Sequence, residues 1–429
     1  NFYPTCFRSL PPSRIPLLLI FTDHSSPVMP LTFLFTLIVC CLLIVYGLLI
    51  DYYRRAWTAA PEFDASGKAA HARISILIPV RNEAANIALC IESLSQQSYP
   101  KSLYEVIVID DHSTDATLEI VAGLHPADIN LIYTRLDDPS AKQAAYKKLA
   151  IRTGIGISSG ELIVTTDADC RFHRDWLRTL AAFYQEKGVK FIAAPVRMGS
   201  PDHPGNPVTA RDRPAGSAEH PTFLSVFQTL DFITLQGITG ASVYKRFHSM
   251  CNGANLAYEK KAFMEVDGFN GIDSIPSGDD MLLMHKIFKA YPDRVFFLKS
   301  ERAIVTTQPE TTWRGFIHQR VRWASKADRY DDRRIFRVLL LVYVVNLMFV
   351  ILAVAGCWNT WWLLLLVVGV LAKTMVEFPF VYVVAVFFDQ ESLIRWFPLL
   401  QPFHILYTVV IGWMGKFGSY RWKDRKISK

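Results

Sequence analysis

The sequence predicts an α/β domain with a mainly parallel sheet, flanked by membrane helices. Two observations lead to this fold class. Between residues 70 and 330, short apolar runs rich in β-branched residues alternate with stretches of helical character, which is the pattern of consecutive β-α-β units. On both sides of this region lie apolar runs with about the 20 residues that a helix needs to cross a bilayer.

The predicted sheet is built around Glu161–Asp169, an apolar strand that ends in two carboxylates separated by one small residue. Asn82 is the expected N-cap of the helix that follows the first strand. Residues 199–221 are dense in Pro, Gly, Ser and Asp and have no periodicity, so we expect a flexible insertion there. The other predicted strands are residues 73–79, 105–110, 130–134, 190–195, 252–258, 295–298 and 303–306.

Three apolar runs are predicted to span the membrane. The first, Leu31–Ile50, is followed at once by Arg54 and Arg55. Because positive residues flank the cytoplasmic end of a span, we interpret residues 29–55 as a signal anchor and place the α/β domain in the cytoplasm. The second and third spans are Ile335–Gly356 and Trp361–Phe388.

The last apolar segment has two interpretations. Pro398–Gly415 follows Trp396 and precedes a basic tail, residues 416–429. A third crossing within region 335–415 would put that tail outside, against the positive-inside rule, so we expect an interfacial helix and a cytoplasmic tail. Residues 1–28 precede the first methionine of the chain, and we expect a disordered or non-native extension there.

Charge and cysteine content narrow the class of partner. The net charge of +7 is modest and is concentrated beside the apolar runs, so it indicates membrane topology and not nucleic-acid binding. The seven cysteines form no Cys-x-x-Cys pair, which argues against a zinc ribbon and suits a reducing compartment.

Four polar signatures follow one another in the α/β region, and three of them are carboxylate clusters. They are Asp110-Asp111, Asp167-Ala168-Asp169, Asp279-Asp280 and Gln319-Arg320-Val321-Arg322-Trp323. Ligands of open α/β sheets bind beyond the carboxyl ends of the strands, so the three acidic clusters are expected to converge there. Because clustered like charges are costly unless a cation holds them, the pattern predicts a divalent metal and a phosphate-bearing ligand.

The fourth signature suits the same ligand. Gln319, Arg322 and Trp323 are spaced i, i+3 and i+4, so they share one face of a helix. A guanidinium beside an indole offers a fork for phosphate and a flat surface for a ring. Each signature alone also fits a capping acid or an ordinary surface helix, and the four in this order favour a functional site.

With these motifs the chain resembles the membrane-bound family 2 glycosyltransferases that have a GT-A catalytic domain. This family includes cellulose, hyaluronan and poly-N-acetylglucosamine synthases and ceramide glucosyltransferase. The resemblance covers roughly residues 70–330 and the flanking membrane segments. It implies a Rossmann-like GT-A domain, with Asp279 standing where a Glu is commoner.

The resemblance also implies roles for individual residues. Asp280 matches the catalytic base, and Gln319, Arg322 and Trp323 match the motif that closes over the diphosphate and the acceptor. Asp167 and Asp169 match the motif for a divalent metal, Mg²⁺ or Mn²⁺. Nucleotide-sugar binding is implied for Pro79, Glu83, Asp110, Asp111, Lys147 and Asp167, and lining of the acceptor pocket for Asn252, Gly253, Asn255 and Asp279.

The implied activity is inverting transfer from a nucleotide-diphosphate sugar, a UDP-sugar by expectation, to a lipid or glycan acceptor. The expected location is the cytoplasmic membrane, with several membrane passes. Two alternatives stay open. A nucleotidyltransferase also uses carboxylates and a metal but does not need Gln-x-x-Arg-Trp, and a non-catalytic nucleotide-sugar-binding scaffold has no use for a base.

Overall fold

The computed structural model describes residues 28–124, 129–137, 146–199, 222–248, 250–275, 278–326, 332–418, 420–422 and 425–427. The predicted N-terminal extension and the predicted insertion lie outside the described residues, apart from the boundary residues Val28 and Gly199.

In the described residues the α-helices are α1 (Val28–Ala59), α2 (Ile87–Ser95), α3 (Thr117–Gly123), α4 (Tyr146–Ile157), α5 (Trp176–Lys187), α6 (Phe223–Tyr244), α7 (Lys260–Glu265), α8 (Met281–Ala290), α9 (Trp313–Ala324), α10 (Arg333–Ala355), α11 (Thr360–Phe387) and α12 (Phe397–Phe417). The strands are β1 (Ile74–Val80), β2 (Tyr104–Asp110), β3 (Asn130–Arg135), β4 (Leu162–Thr165), β5 (Arg171–Phe172), β6 (Phe191–Ala193), β7 (Val196–Met198), β8 (Leu256–Glu259), β9 (Val295–Phe297), β10 (Val305–Thr307), β11 (Tyr420–Trp422) and β12 (Arg425–Ile427).

The central sheet has the strand order β3-β2-β1-β4-β8-β6-β9. Its strands pair in parallel except at β8, which is antiparallel to both β4 and β6. β1, β2 and β4 are buried apolar runs, as expected of strands covered on both faces. The predicted mainly parallel α/β fold is therefore confirmed, and the ends of β1, β2 and β4 meet at one edge.

A second, three-stranded sheet in the order β5-β10-β7 stands beside that edge. β5 begins directly after the Asp-Ala-Asp turn, and Arg171 pairs with Thr306 of β10. This pairing carries the end of β10, Thr307, to the carboxylate of Asp169. The small sheet thus forms one wall of the region beyond β4.

Four helices in the described part of the chain are long and apolar enough to cross a membrane. They comprise the three predicted spans and the ambiguous segment: Thr32–Ala59, Arg333–Ala355, Thr360–Phe387 and Glu391–Phe417. Within α11, Lys373 and Glu377 form an ion pair of 2.8 Å. Both side chains also bond to Gln401, and Tyr46 donates to Glu377, so this buried polar cluster ties α11 to α12 and α1.

Helix α12 lies side by side with α9, and the two run in the same direction. Phe316 stacks on Tyr407 with ring centroids 5.5 Å apart, Val321 packs on Ile411, and Gly415 meets Ala324. A Cβ at position 415 would stand 2.5 Å from the Cβ of Ala324, so only glycine allows the contact. Contact with a helix of the α/β domain along its length favours the interfacial arrangement of α12, which stays a prediction.

Helix α6 joins the α/β domain to the membrane helices. Gln236 accepts from the backbone N–H of Val196 on the domain side. On the other side Gly237 lies against α11, where a Cβ would stand 2.4 Å from Val384 Cγ2 and 3.0 Å from Phe380 Cζ. The absence of a side chain at this position therefore sets the distance between the two helices.

We expect Gly237→Ala to lower the thermal unfolding midpoint of the detergent-solubilised protein. The added methyl would push α6 off α11, and overpacking of this kind costs about 1–3 kcal/mol. Gly156→Ala in α4 is the matched control, because a Cβ there meets nothing within 4 Å and alanine improves helix propensity. Equal or higher midpoints for both variants would show that the α6–α11 contact is not tight.

Candidate active site

A cleft of about 280 Å³ lies beyond the carboxyl ends of β1 and β4. It is closed on one side by the start of α8 and on the other by α9. Its polar lining comes from all of these elements and includes Arg81, Glu83, Asp111, Lys147, Asp167, Asp169, Asn252, Asp279, Asp280, Thr307, Gln308, Glu310, Gln319, Arg322 and Lys326. Most of the predicted site residues therefore face one space.

The Asp-Ala-Asp turn forms the acidic edge of the cleft. Asp167 Oδ1 lies 2.7 Å from Lys147 Nζ, and Asp169 Oδ2 accepts a hydrogen bond of 2.8 Å from Thr307 Oγ1. Burial and the negative charge of Asp167 raise the pKa of the Asp169 carboxyl to about 6. The two carboxylates are thus close enough to repel each other, and a cation would relieve that repulsion.

The second acidic pair lies across Lys147. Asp279 Oδ2 is 3.6 Å from Lys147 Nζ, and Asp280 Oδ1 is 3.8 Å from Lys326 Nζ. Burial raises the pKa of the Asp279 carboxyl, but Lys147 and Lys326 outweigh it and hold that pKa below its usual value. Burial likewise disfavours the charge on Lys147, yet Asp167 and Asp279 raise the pKa of its ammonium. Lys147 is therefore the cation that joins the two acidic pairs.

Asp280 stands at the first position before α8 and caps it. Its Oδ1 accepts from the backbone N–H of Met281 at 2.7 Å, and its side chain is 15% exposed. Gly278 adopts φ +84°, a conformation that glycine tolerates and that turns the chain into the helix. The turn fixes the carboxylate at the cleft wall while leaving part of it accessible.

The end of β1 forms the opposite wall. Arg81 Nη1 donates to the carbonyl oxygen of Asp111 at 2.6 Å, and Glu83 accepts from Asn86 Nδ2 at 2.9 Å. Pro79, Glu83 and Asp111 all line the cleft. Asn82 does not cap α2 as predicted, because its side chain accepts from the backbone N–H of Thr114 and its own φ is 53°.

Two predicted site residues do not reach the cleft. Asp110 is fully buried, where it accepts from the backbone N–H of Ser113 and lies 3.4 Å from Arg135. Asn255 is also fully buried. It accepts from the indole N–H of Trp176 and donates to two backbone carbonyls. Asp110 therefore stabilises the turn that presents Asp111. Asn255 stabilises the wall of the cleft behind Asn252 and Gly253.

Asn252 and Gly253 themselves line the cleft, and their role toward an acceptor stays a prediction. Asn252 Oδ1 accepts from the backbone N–H of Ala254 at 3.0 Å, which fixes the turn before β8. A Cβ at Gly253 would stand 3.4 Å from Lys147 Nζ and 3.6 Å from Asp279 Oδ2. The glycine thus leaves the space between the two acidic pairs open.

Helix α9 presents Gln319, Arg322 and Trp323 to the cleft, as their spacing predicts. Arg320 points the other way and forms a buried ion pair of 2.9 Å with Asp231 of α6. Its guanidinium lies 4.3 Å from the centroid of the Trp323 ring. The indole of Trp323 is therefore held from behind by a fixed cation.

The sequence did not single out Thr307, Gln308, Glu310 or Lys326, which also line the cleft. Glu310 Oε1 accepts from Gln319 Nε2 at 3.4 Å. Three of the four lie on or just after β10, a short strand with no charged motif that could have indicated a site. Lys326 lies three residues after Trp323, the end of the Gln-x-x-Arg-Trp segment, and this short separation is the signal that the sequence offered.

The residues present fit a divalent metal that a ligand helps to hold. Among the described residues no group of three or more His, Cys, Asp or Glu side chains could hold an ion alone. Asp167, Asp169 and the Thr307 hydroxyl supply hard oxygen atoms, which Mg²⁺ and Mn²⁺ prefer. Two carboxylates with open space beside them suit an ion whose remaining ligands come from phosphate and water.

Known proteins are similar to this region in both sequence and fold. Residues 75–250 match the Glycosyl transferase family 2 model. Glycosyltransferase AglE of Haloferax volcanii is 36% identical over 30% of this chain and 41% of its own length. Probable glycosyltransferase YdaM of Bacillus subtilis is 26% identical over 59% of this chain and 54% of its own length. The chain thus spans about half the length of these curated relatives.

A solved structure extends the likeness beyond the matched region. Mannosyltransferase PcManGT from Pyrobaculum calidifontis, in complex with GDP-Man and Mn²⁺, has a TM-score of 0.51 at 20% identity. The alignment covers 88% of this chain and 98% of that one. Residues 75–250 therefore match a family 2 glycosyl transferase domain, and the fold of the chain is of the GT-A type.

Proposed function

We propose that the protein is an inverting glycosyltransferase of the cytoplasmic membrane that moves a sugar from a nucleotide-diphosphate sugar to a lipid or glycan acceptor. The observation that carries the proposal is the placement of two acidic pairs, Asp167 with Asp169 and Asp279 with Asp280, around Lys147 in one cleft. Asp167 and Asp169 could hold a cation that binds the phosphates of a donor. The other pair, Asp279 with Asp280, provides a base for an acceptor.

The donor would lie along the edge formed by β1, β2 and β4. Pro79, Glu83 and Asp111 would bind the nucleoside, which we take to be uridine, and Asp167 would lie near its ribose. Asp167 and Asp169 would hold Mg²⁺ or Mn²⁺, whose positive charge stabilises the leaving nucleoside diphosphate. Lys147 and Arg322 add cationic groups around the same phosphates, which is the electrostatic stabilisation that phosphate departure needs.

Asp280 would accept the proton of an acceptor hydroxyl. As the hydroxyl oxygen bonds to the anomeric carbon, the bond from that carbon to the diphosphate oxygen breaks, and the nucleoside diphosphate takes the electron pair. One displacement inverts the configuration at the anomeric carbon. Gln319 and Trp323 would position the acceptor, which must come within about 3 Å of the Asp280 carboxylate for proton transfer.

Charge at the helix ends supports a cytoplasmic catalytic domain. Arg54 and Arg55 stand at the end of α1 that enters the domain, and Arg333, Arg334 and Arg337 at the end of α10 that leaves it. Positive residues concentrate on the cytoplasmic side of membrane proteins. We therefore place the cleft in the cytoplasm, where nucleotide sugars would reach it.

The test is a panel of labelled nucleotide sugars incubated with membranes that carry the protein. We expect one donor to give a labelled product together with a free nucleoside diphosphate. Release of pyrophosphate would instead establish the nucleotidyltransferase alternative. Donor binding without any turnover would establish the non-catalytic scaffold.

A further inference from the structure

A second cavity of about 160 Å³ lies between α6 and the membrane helices. Leu230, Leu235, Ile238, Val338 and Val342 are among the side chains that make most of its lining apolar. An apolar cavity of roughly 150 Å³ stays dry and takes up apolar guests. The cavity is thus chemically suited to hydrocarbon.

The lining of this cavity comes mainly from one short segment or one face of each of five helices. From α6 it takes positions 227, 230, 231, 234, 235 and 238, which follow one face of the helix. From α1 it takes residues 46–53, from α10 335–342, from α11 377–381 and from α12 397–404. In α1 and α10 these residues lie toward the end that joins the α/β domain, so the cavity is at the membrane boundary below α6.

The cavity is close to the candidate active site. Asp231 lines the cavity while Phe232, the next residue of α6, lines the cleft. Arg320 pairs with Asp231 and lies against Trp323, which itself lines the cleft. A layer one side chain thick therefore separates the two spaces.

One corner of the cavity is polar, and the hydrogen-bonding capacity of the side chains there is not fully used within the described part of the chain. His404 lines it together with Asp231, and the Nδ1 atom of His404 is buried without a hydrogen-bond partner in the described part of the chain. Buried polar atoms are usually satisfied. On the opposite side Leu339 lines the cavity and is 40% exposed, so the wall formed by α10 reaches the outer surface of the helices.

We propose that this cavity holds the hydrocarbon chain of the acceptor, next to its polar head, and that the acceptor is therefore a membrane lipid. The inference rests on the proposed function and narrows it. A chain that enters between α6 and α10 from the bilayer would bring the head of its lipid past His404 and Asp231 toward Trp323. A soluble glycan would have no use for an apolar cavity at this place.

Photo-crosslinking tests the site without relying on turnover. Full-length protein in vesicles is irradiated with diacylglycerol, and separately with a polyprenyl phosphate, each carrying a diazirine in the hydrocarbon chain close to the head. We expect labelled peptides from α6 and from the first two turns of α10. If only one of the two probes labels these helices, that probe shows whether the head group of the acceptor lipid is a hydroxyl or a phosphate. Labelling confined to the outer surface of α11 with both probes overturns the inference.

Filling the cavity provides the kinetic test. Val338→Phe and Val342→Phe place a ring in it, and we expect the KM for the lipid acceptor to rise about tenfold, the scale of a changed contact in an apolar pocket. Val354→Phe is the matched control on the same helix, because Val354 is 54% exposed and does not line the cavity. A thermal unfolding midpoint measured for all three variants shows whether each is folded.

The outcomes separate this inference from the proposed function. If wild-type protein and both filled variants transfer sugar at equal rates to a soluble glycan or to a lipid, the cavity has no role in acceptor binding and glycosyl transfer stands. If wild-type protein transfers nothing from any donor while the diazirine lipids still label α6 and α10, the lipid site stands and the proposed function fails.

Discussion

Replacing Asp280 by Asn is expected to lower kcat for glycosyl transfer by about 10²–10⁴-fold, the usual contribution of a positioned general base. The change removes the group that accepts the acceptor proton and alters the size of the side chain little. It should leave the fold intact, since an amide oxygen can also accept from the backbone N–H of Met281 that Asp280 caps, and Asn is as good a cap as Asp. Initial rates with saturating donor and acceptor provide the measurement.

Asp293→Asn is the control for this variant. Asp293 lies beyond the other end of the same helix, its side chain is 70% exposed, and exposed ion pairs contribute little. We expect wild-type kinetics from it. A wild-type kcat for Asp280→Asn would remove Asp280 from the base role and direct attention to Asp279, which shares the turn.

The second large effect is expected from Asp169→Asn. Asparagine keeps an oxygen for the Thr307 hydroxyl, which donates to Asp169 at 2.8 Å, but loses the charge that would hold a divalent ion. Metal stabilisation of a leaving phosphate is worth several kcal/mol, so transfer should fall on the order of a hundredfold or more. Raising the Mn²⁺ concentration should restore part of the rate.

Metal binding itself distinguishes this role from a structural one. Electron paramagnetic resonance of Mn²⁺ in the presence of a nucleoside diphosphate should show weaker binding by Asp169→Asn than by wild type. Asp64→Asn, which changes a carboxylate whose side chain is 72% exposed, should bind as wild type does. Wild-type activity in excess chelator would show that the Asp-Ala-Asp turn serves another purpose.

Much of this site could be predicted because strand ends in a parallel sheet must meet at one edge. Asp111, Asp167 and Asp169 follow buried strands, and the pairing of β1 with both β2 and β4 brings them together. The helix face of α9 that meets the cleft could be predicted from the spacing of Gln319 and Trp323 alone. These are local patterns whose placement the fold class determines.

The remaining contacts depend on neighbours that are distant in sequence. Asn255 lies in segment 252–258, which the sequence predicts as a strand, but it precedes β8, and its side chain accepts from the buried indole N–H of Trp176. Thr307 reaches Asp169 only because β10 pairs with β5. The ion pair of Asp231 with Arg320 joins two helices that no local pattern relates. Tertiary packing decides all three.

The contact between Gly415 and Ala324 has a mechanical consequence. An interfacial helix places its apolar face at the boundary between headgroups and acyl chains, and α12 presents Leu399, Leu406 and Trp413 outward while its other side packs against α9. A displacement of α12 at the membrane surface would therefore also move α9, the helix that carries Gln319 and Trp323. Through this contact the position of α12 is mechanically coupled to the wall of the cleft.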